Sequence, residues 1–138
     1  MRAKDLKTAI RHTINSGQNL LITGAPGIGK TEIVEQVCKD MTHGTDGTWM
    51  ILHPVCDDPS DWKGLGFPSA DRETANFLPY GNLKQLMEAP ALCICIIDEI
   101  GSASESVQKA IMQPIRQRSI NGKMISPHVR FILCTNRR

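Results

Sequence analysis

The sequence predicts a three-layer α/β fold with a mainly parallel sheet, on three observations. Short apolar runs alternate with stretches of helical period. The runs at 91–98 and 129–135 are almost continuously apolar, and a glycine-rich loop follows the first apolar run directly. Alternating strands and helices call for parallel strands joined by crossover helices. Continuous apolar strands belong in a sheet covered on both faces. A loop fed by the first strand stands at the carboxyl edge, where such sheets take ligands. The 138 residues fit one domain, 1–138, with enough chain to bury a core.

Taken in order, Leu6, Ala9, Ile10, Thr13 and Ile14 recur at helical spacing, so 4–15 reads as an amphipathic helix that Ser16-Gly17 ends. Asn19 to Thr23 is a short strand, 24–29 the glycine loop, and Lys30 to Met41 a helix with Ile33, Val34, Val37 and Met41 on one side. Trp49 to Val55 reads as a strand that Pro54 brings to its end. Cys56 to Tyr80 has no clean period and holds Pro59, Gly64, Gly66, Pro68 and Pro79. A loop of that length in a compact domain is expected to serve function. Asn82 to Ala89 is a short helix with Asn82 as its cap, and Ala91 to Asp98 a buried central strand. Ser104 to Arg118 is a helix that Pro114 should kink or shorten. Asn121-Gly122 suits the tight turn of a hairpin, and Val129 to Thr135 is a last buried strand.

Composition excludes several classes. Hydrophobic residues make up 41% and charged residues 22%, as in a soluble globular protein. No apolar run approaches the ~20 residues of a membrane-crossing helix, and the first residues lack the apolar centre of a signal peptide. The expectation is a cytoplasmic protein without membrane contact. The five cysteines are odd in number and form no C-x-x-C pair, so they indicate neither a disulfide framework nor a zinc site. Cys93 and Cys95 fall on one face of their strand. Every carboxylate side chain lies at or before Glu105, while Lys109, Arg116, Arg118, Lys123, Arg130, Arg137 and Arg138 follow it. That asymmetry reads as a solvated basic face. Its sharper alternative is a surface for an acidic partner, a nucleic acid or a neighbour's nucleotide.

The chemistry is concentrated in three places. Gly24-Ala25-Pro26-Gly27-Ile28-Gly29-Lys30-Thr31 fits G-x-x-x-x-G-K-[ST] at each fixed position. Glycines let successive N–H groups point at phosphate oxygens, and the following helix adds its positive end. Lys30 supplies a full charge for the β and γ phosphates, and the Thr31 hydroxyl can ligate Mg2+. Second, Ile94-Cys95-Ile96-Ile97 runs straight into Asp98-Glu99. Asp98 can hold Mg2+ through its water shell, and Glu99, one residue on, can polarise an attacking water. Third, Asn136 ends the last apolar strand, where a polar side chain can stand between Glu99 and the γ-phosphate. A GTPase is disfavoured: Asn136 is followed by Arg137-Arg138 rather than K-x-D, and Asp98-Glu99-Ile100 is not D-x-x-G.

The phosphate loop, the CICIIDEI strand, the Val107-Gln108-Lys109-Ala110 helix, the 120–125 hairpin and the ILCTN strand, in this order, resemble the MoxR-like branch of AAA+ ATPases, a P-loop NTPase group. Asp58-Pro59-Ser60-Asp61 with Gly64, and Phe77-Leu78-Pro79, carry the branch assignment. The resemblance implies ATP and Mg2+ as ligands, Gly24, Gly29, Lys30 and Thr31 as the nucleotide loop, Asp98 and Glu99 as the magnesium and water-activating pair, and Asn136 as the sensor. It implies a homo-oligomeric ring, usually a hexamer, that remodels a client protein. The resemblance also implies an arginine finger, a fifth strand and a helical lid past Asn136. Only two residues of this sequence follow Asn136, so the expectation is a partial core with weak turnover. Trp62-Lys63-Gly64 resembles the aromatic loop of AAA+ ring pores; the alternative is a tryptophan that pins the long loop to the core. Competing functions are a nucleotide-dependent switch or assembly module without turnover, and a nucleic-acid-dependent ATPase. A kinase lacks an arginine-bearing lid and acceptor site here.

Overall fold

The computed structural model describes residues 3–24 and 29–136. Four strands form the central sheet: β1 (Leu20–Gly24), β2 (Thr48–Leu52), β5 (Cys93–Asp98) and β8 (Val129–Asn136). Their order is β1-β8-β5-β2, and every pairing is parallel. The remaining strands form two antiparallel hairpins, β3 (Leu65–Pro68) with β4 (Ala75–Leu78), and β6 (Ser119–Ile120) with β7 (Lys123–Met124).

Side chains of the two central strands alternate between two cores, which is why their sequences read as unbroken apolar runs. Ile94 and Ile96 of β5, with Ile132 and Cys134 of β8, face one layer. That layer is α1 (Ala3–Asn15), through Ile10 and Ile14, and α2 (Lys30–Thr42), through Val34, Val37 and Cys38. Cys93, Cys95, Ile97, Phe131 and Leu133 face the other. There α4 (Gly81–Glu88) contributes Leu83 and Leu86, and α5 (Glu105–Gln117) contributes Val107, Ala110, Ile111 and Ile115. The three-layer α/β fold with a parallel sheet is therefore as the sequence predicts, and Cys93 and Cys95 do share a face.

The local departures have physical causes. β2 ends at Leu52, not Val55, because Pro54 opens a 3-10 turn over Pro54–Cys56. The central strand starts at Cys93 rather than Ala91. α4 begins at Gly81 with Tyr80 preceding it, so Asn82 lies inside the helix and is not its cap. α5 runs through Pro114 to Gln117. The buried proline removes one N–H only a turn from the end, and its carbonyl accepts the Arg118 N–H at 3.0 Å, which closes the helix. Ser104 caps the other end, accepting from the Val107 N–H at 3.3 Å. The 56–80 segment is not an irregular loop throughout. It contains α3 (Ser60–Lys63) and the β3–β4 hairpin, whose residues are exposed on both faces. Such a hairpin has no inside and outside to write into its sequence. In the β6–β7 turn, Asn121 and Gly122 both take positive φ, at 52° and 83°, as a tight hairpin turn of this kind requires.

Candidate nucleotide site

Parallel pairing brings the three chemical segments to one edge. Gly24 ends β1 opposite Asn136 at the end of β8, and Asp98 at the end of β5 lies opposite Cys134. Strand ends thus deliver the start of the glycine loop, the acidic pair and the asparagine side by side. Ala25, Pro26, Gly27 and Ile28, the middle of the expected phosphate cradle, lie outside the described residues, as do Arg137 and Arg138. Gly29 follows with φ 72°, the left-handed conformation that glycine adopts without strain, and immediately precedes α2.

Lys30 and Thr31 open that helix and point toward the strand ends. The Lys30 ammonium is buried and donates to Asn136 Oδ1 at 2.7 Å. It also stands 3.8 Å from Glu99 Oε1. The Thr31 hydroxyl donates to Asp98 Oδ1 at 3.1 Å. Two residues from α2 therefore meet all three polar strand-end residues, over sequence separations of 67 and 106 for the two hydrogen bonds. Glu99 takes φ 55°, ψ 50°, a left-handed conformation unusual for a residue with a side chain. It joins β5 to a 3-10 turn at Ile100–Ser102, and its carbonyl accepts from the Ser102 N–H at 3.0 Å. Backbone strain of this sort, ~1–3 kcal/mol, persists where the surrounding structure holds it.

The donor set suits Mg2+. A hydroxyl and a carboxylate oxygen 3.1 Å apart are hard oxygen ligands. Among the described residues no cluster of three or more His, Cys, Asp or Glu forms a metal cage. The sulfur beneath the site is inert. Burial, reinforced by the Asp98 carboxylate, pushes the Cys134 thiol up to about 12.

One neighbour escaped the sequence reading. His53 Nδ1 stands 3.6 Å from Asp98 Oδ2. A polar residue closing an apolar strand was visible, but its adjacency to Asp98 needs the strand order, which sequence does not state.

The other expectations divide. Trp62 is 2% exposed, and its Nε1–H donates to Asp57 Oδ2 at 2.9 Å. It pins the segment to the core and cannot line a pore in this state. Three of the five described basic residues after Glu105 make contacts within the chain. Arg130 donates to the carbonyls of Ile14, Pro127 and Val129, Arg118 to that of Ser126, and Lys109 pairs with Glu105. Among the described residues no helix is long and apolar enough to cross a membrane.

Comparison with solved structures gives the same architecture. A RuvB variant from Thermotoga maritima aligns at a TM-score of 0.64 and 16% identity, over 99% of this chain and 40% of that one. A second RuvB variant from that organism aligns at 0.62 and 17% identity, over 97% and 39%. NtrX from Brucella abortus aligns at 0.58 and 16% identity, over 98% and 30%. The chain thus spans less than half the length of these structures, and at such identities the likeness is one of fold. No curated protein matches the chain. The family model that does match, over residues 19–136, is that of the AAA domain, dynein-related subfamily. The chain belongs to this family, an AAA+ type of nucleotide-binding domain built on the parallel sheet described above.

Proposed function

We propose that the chain is the ATP-binding and ATP-hydrolysing core of a MoxR-like AAA+ ATPase. The observation that carries this reading is the convergence of Lys30, Thr31, Asp98, Glu99 and Asn136 from three distant segments on one sheet edge. Gly24 to Thr31 cradles the triphosphate, with Lys30 leaving its present partners for the β and γ phosphates. Thr31, and Asp98 through water, hold Mg2+, which when bound neutralises charge on the phosphate oxygens. Glu99 accepts the proton of the attacking water, and Asn136 orients that water.

Calorimetric titration with ATP and Mg2+ tests the reading. Wild-type protein is expected to bind and Lys30→Ala to fail while its circular dichroism is unchanged. Tight binding by a folded Lys30→Ala variant overturns the assignment.

In the same reading, a ring of identical subunits supplies the remaining charge. Among the described residues no arginine contacts Lys30, Asp98, Glu99 or Asn136. An arginine finger contributes ~10³–10⁵ in rate. Residues 1–138 alone are therefore expected to bind ATP but release phosphate near background and to run as a monomer or small oligomer. Robust concentration-dependent turnover overturns that expectation. The client is a protein remodelled by the ring, and five free thiols agree with a cytoplasmic setting. The alternative, a switch or assembly module without turnover, has one observation in its favour: Glu99 faces Lys30 in this state. Single-turnover hydrolysis by the assembled protein separates the two. A nucleic-acid-dependent ATPase is disfavoured because Arg118 and Arg130 are spent on backbone carbonyls.

A further inference from the structure

The Asp98 carboxylate is held at both oxygens. Oδ1 accepts from Thr31, and Oδ2 faces His53 Nδ1 at 3.6 Å, within ion-pair range. The second contact is set by the sheet. β2 pairs with β5 in parallel register, Leu52 opposite Ile97, so the next residue of each strand, His53 and Asp98, emerge together. Pro54 then turns the chain into the 3-10 turn, and the His53 carbonyl accepts the Cys56 N–H at 3.1 Å. The residue before a proline is restricted to extended backbone, and His53 has φ −117°, ψ 86°. Its backbone is fixed on two sides, and its ring is presented where β5 ends.

We propose that His53 is a positioning residue of the cation site: its Nδ1 side holds Oδ2 of Asp98 and thereby keeps Oδ1 directed toward Thr31 and the divalent ion. The inference rests on the reading of Asp98 as the Mg2+ residue. The contact needs an N–H on Nδ1, directed at the carboxylate oxygen. The contact orients a residue that itself touches the ion only through water, and partners at this remove change metal affinity by ~10–100-fold.

The test measures Mn2+ affinity by electron paramagnetic resonance in the presence of a non-hydrolysable ATP analogue. Affinity for a fluorescent ATP analogue in EDTA is measured alongside. His53→Ala is expected to weaken Mn2+ binding about 10-fold, Asp98→Asn at least as much, and the double variant no more than Asp98→Asn alone. His53→Asn, whose Nδ2 can occupy the Nδ1 position, is expected to recover most of the affinity. In the His53 variants, metal-free nucleotide binding and circular dichroism stay as in the wild type. If alanine unfolds the chain, His53→Phe, which keeps the ring without the Nδ1 proton, replaces it.

Wild-type Mn2+ affinity in His53→Ala beside a weakened Asp98→Asn overturns the role of His53 and leaves the cation site standing. Wild-type affinity in Asp98→Asn overturns both. A loss in His53→Ala that asparagine does not restore, that adds fully to Asp98→Asn, or that extends to metal-free nucleotide binding overturns the positioning role in favour of general disruption.

Discussion

Lys30 is 6% exposed, and its charge is met by Asn136 and Glu99. The same geometry makes these residues interdependent. On the proposed reading of Lys30 as the phosphate lysine, Lys30→Ala is expected to lower ATP affinity at least ~100-fold, since the full positive charge meant for the phosphates is lost. It also leaves Asn136 Oδ1 without its donor, a cost of ~1 kcal/mol that a denaturant melt would register. On the proposed reading, Glu99→Gln preserves shape and removes the base. ATP affinity is expected to persist while single-turnover hydrolysis in the assembled protein falls ~10²–10⁴-fold. Unchanged turnover would move the base elsewhere. On the same reading, Asn136→Ala is expected to lower turnover less than Glu99→Gln does, because an asparagine there would orient water without accepting a proton.

At the scale of elements, the β3–β4 hairpin depends on one close approach. Gly64 has φ 88°, and a Cβ there would stand 2.6 Å from the Leu78 carbonyl oxygen. Gly64→Ala must push β3 from β4 and adopt backbone that L-residues avoid. A loss of ~1–3 kcal/mol is expected, read as a lower urea midpoint. Equal midpoints would show that the hairpin contributes nothing to global stability. The β6–β7 turn is tied to the end of α3, just before this hairpin, since the Asn121 side chain donates to the Lys63 carbonyl at 2.8 Å. Leu65, Phe67, Phe77, Leu78 and Met124 are exposed on the two hairpins. At the opposite end of the length scale for a single contact, Ser104→Ala removes the α5 cap and is expected to cost about 1 kcal/mol.

For the whole molecule, the five thiols report on the integrity of both cores. Cys38, Cys93, Cys95 and Cys134 are buried and Cys56 is exposed. Native protein is expected to show one fast-reacting thiol, Cys56, with the other four labelled only on unfolding; a second fast thiol would contradict the two-core packing. Burial also pushes Cys38 from the usual 9.0 up to about 12. The unfolded chain therefore releases these protons first. Stability is unaffected by them below about pH 9 and declines as pH rises from there toward 12, the range over which only the unfolded state is ionised. Thermal melts across that alkaline range check the sign.

The layers, and the candidates for the chemistry, were legible in the chain alone. Almost continuously apolar strands at 93–98 and 129–135 call for cover on two faces, and Lys30, Thr31, Asp98, Glu99 and Asn136 stand out as candidates because phosphate, cation and water would each need those side-chain types near a strand end. These are properties of neighbours in the chain. Which strand ends meet follows from the fold. Strand order sets Gly24 beside Asn136 and brings His53 against Asp98, and no local pattern encodes it. The short elements between 56 and 80 were illegible for a related reason. Their side chains are exposed on both faces of the hairpin, so no period of two marks them. Trp62 was readable as a pin for the long segment, but the core it enters, which also holds Leu83 and Leu86 of α4, was not named by any local pattern. Contacts made across the sheet depend on the order in which the strands assemble, and that order is a property of the whole chain's packing.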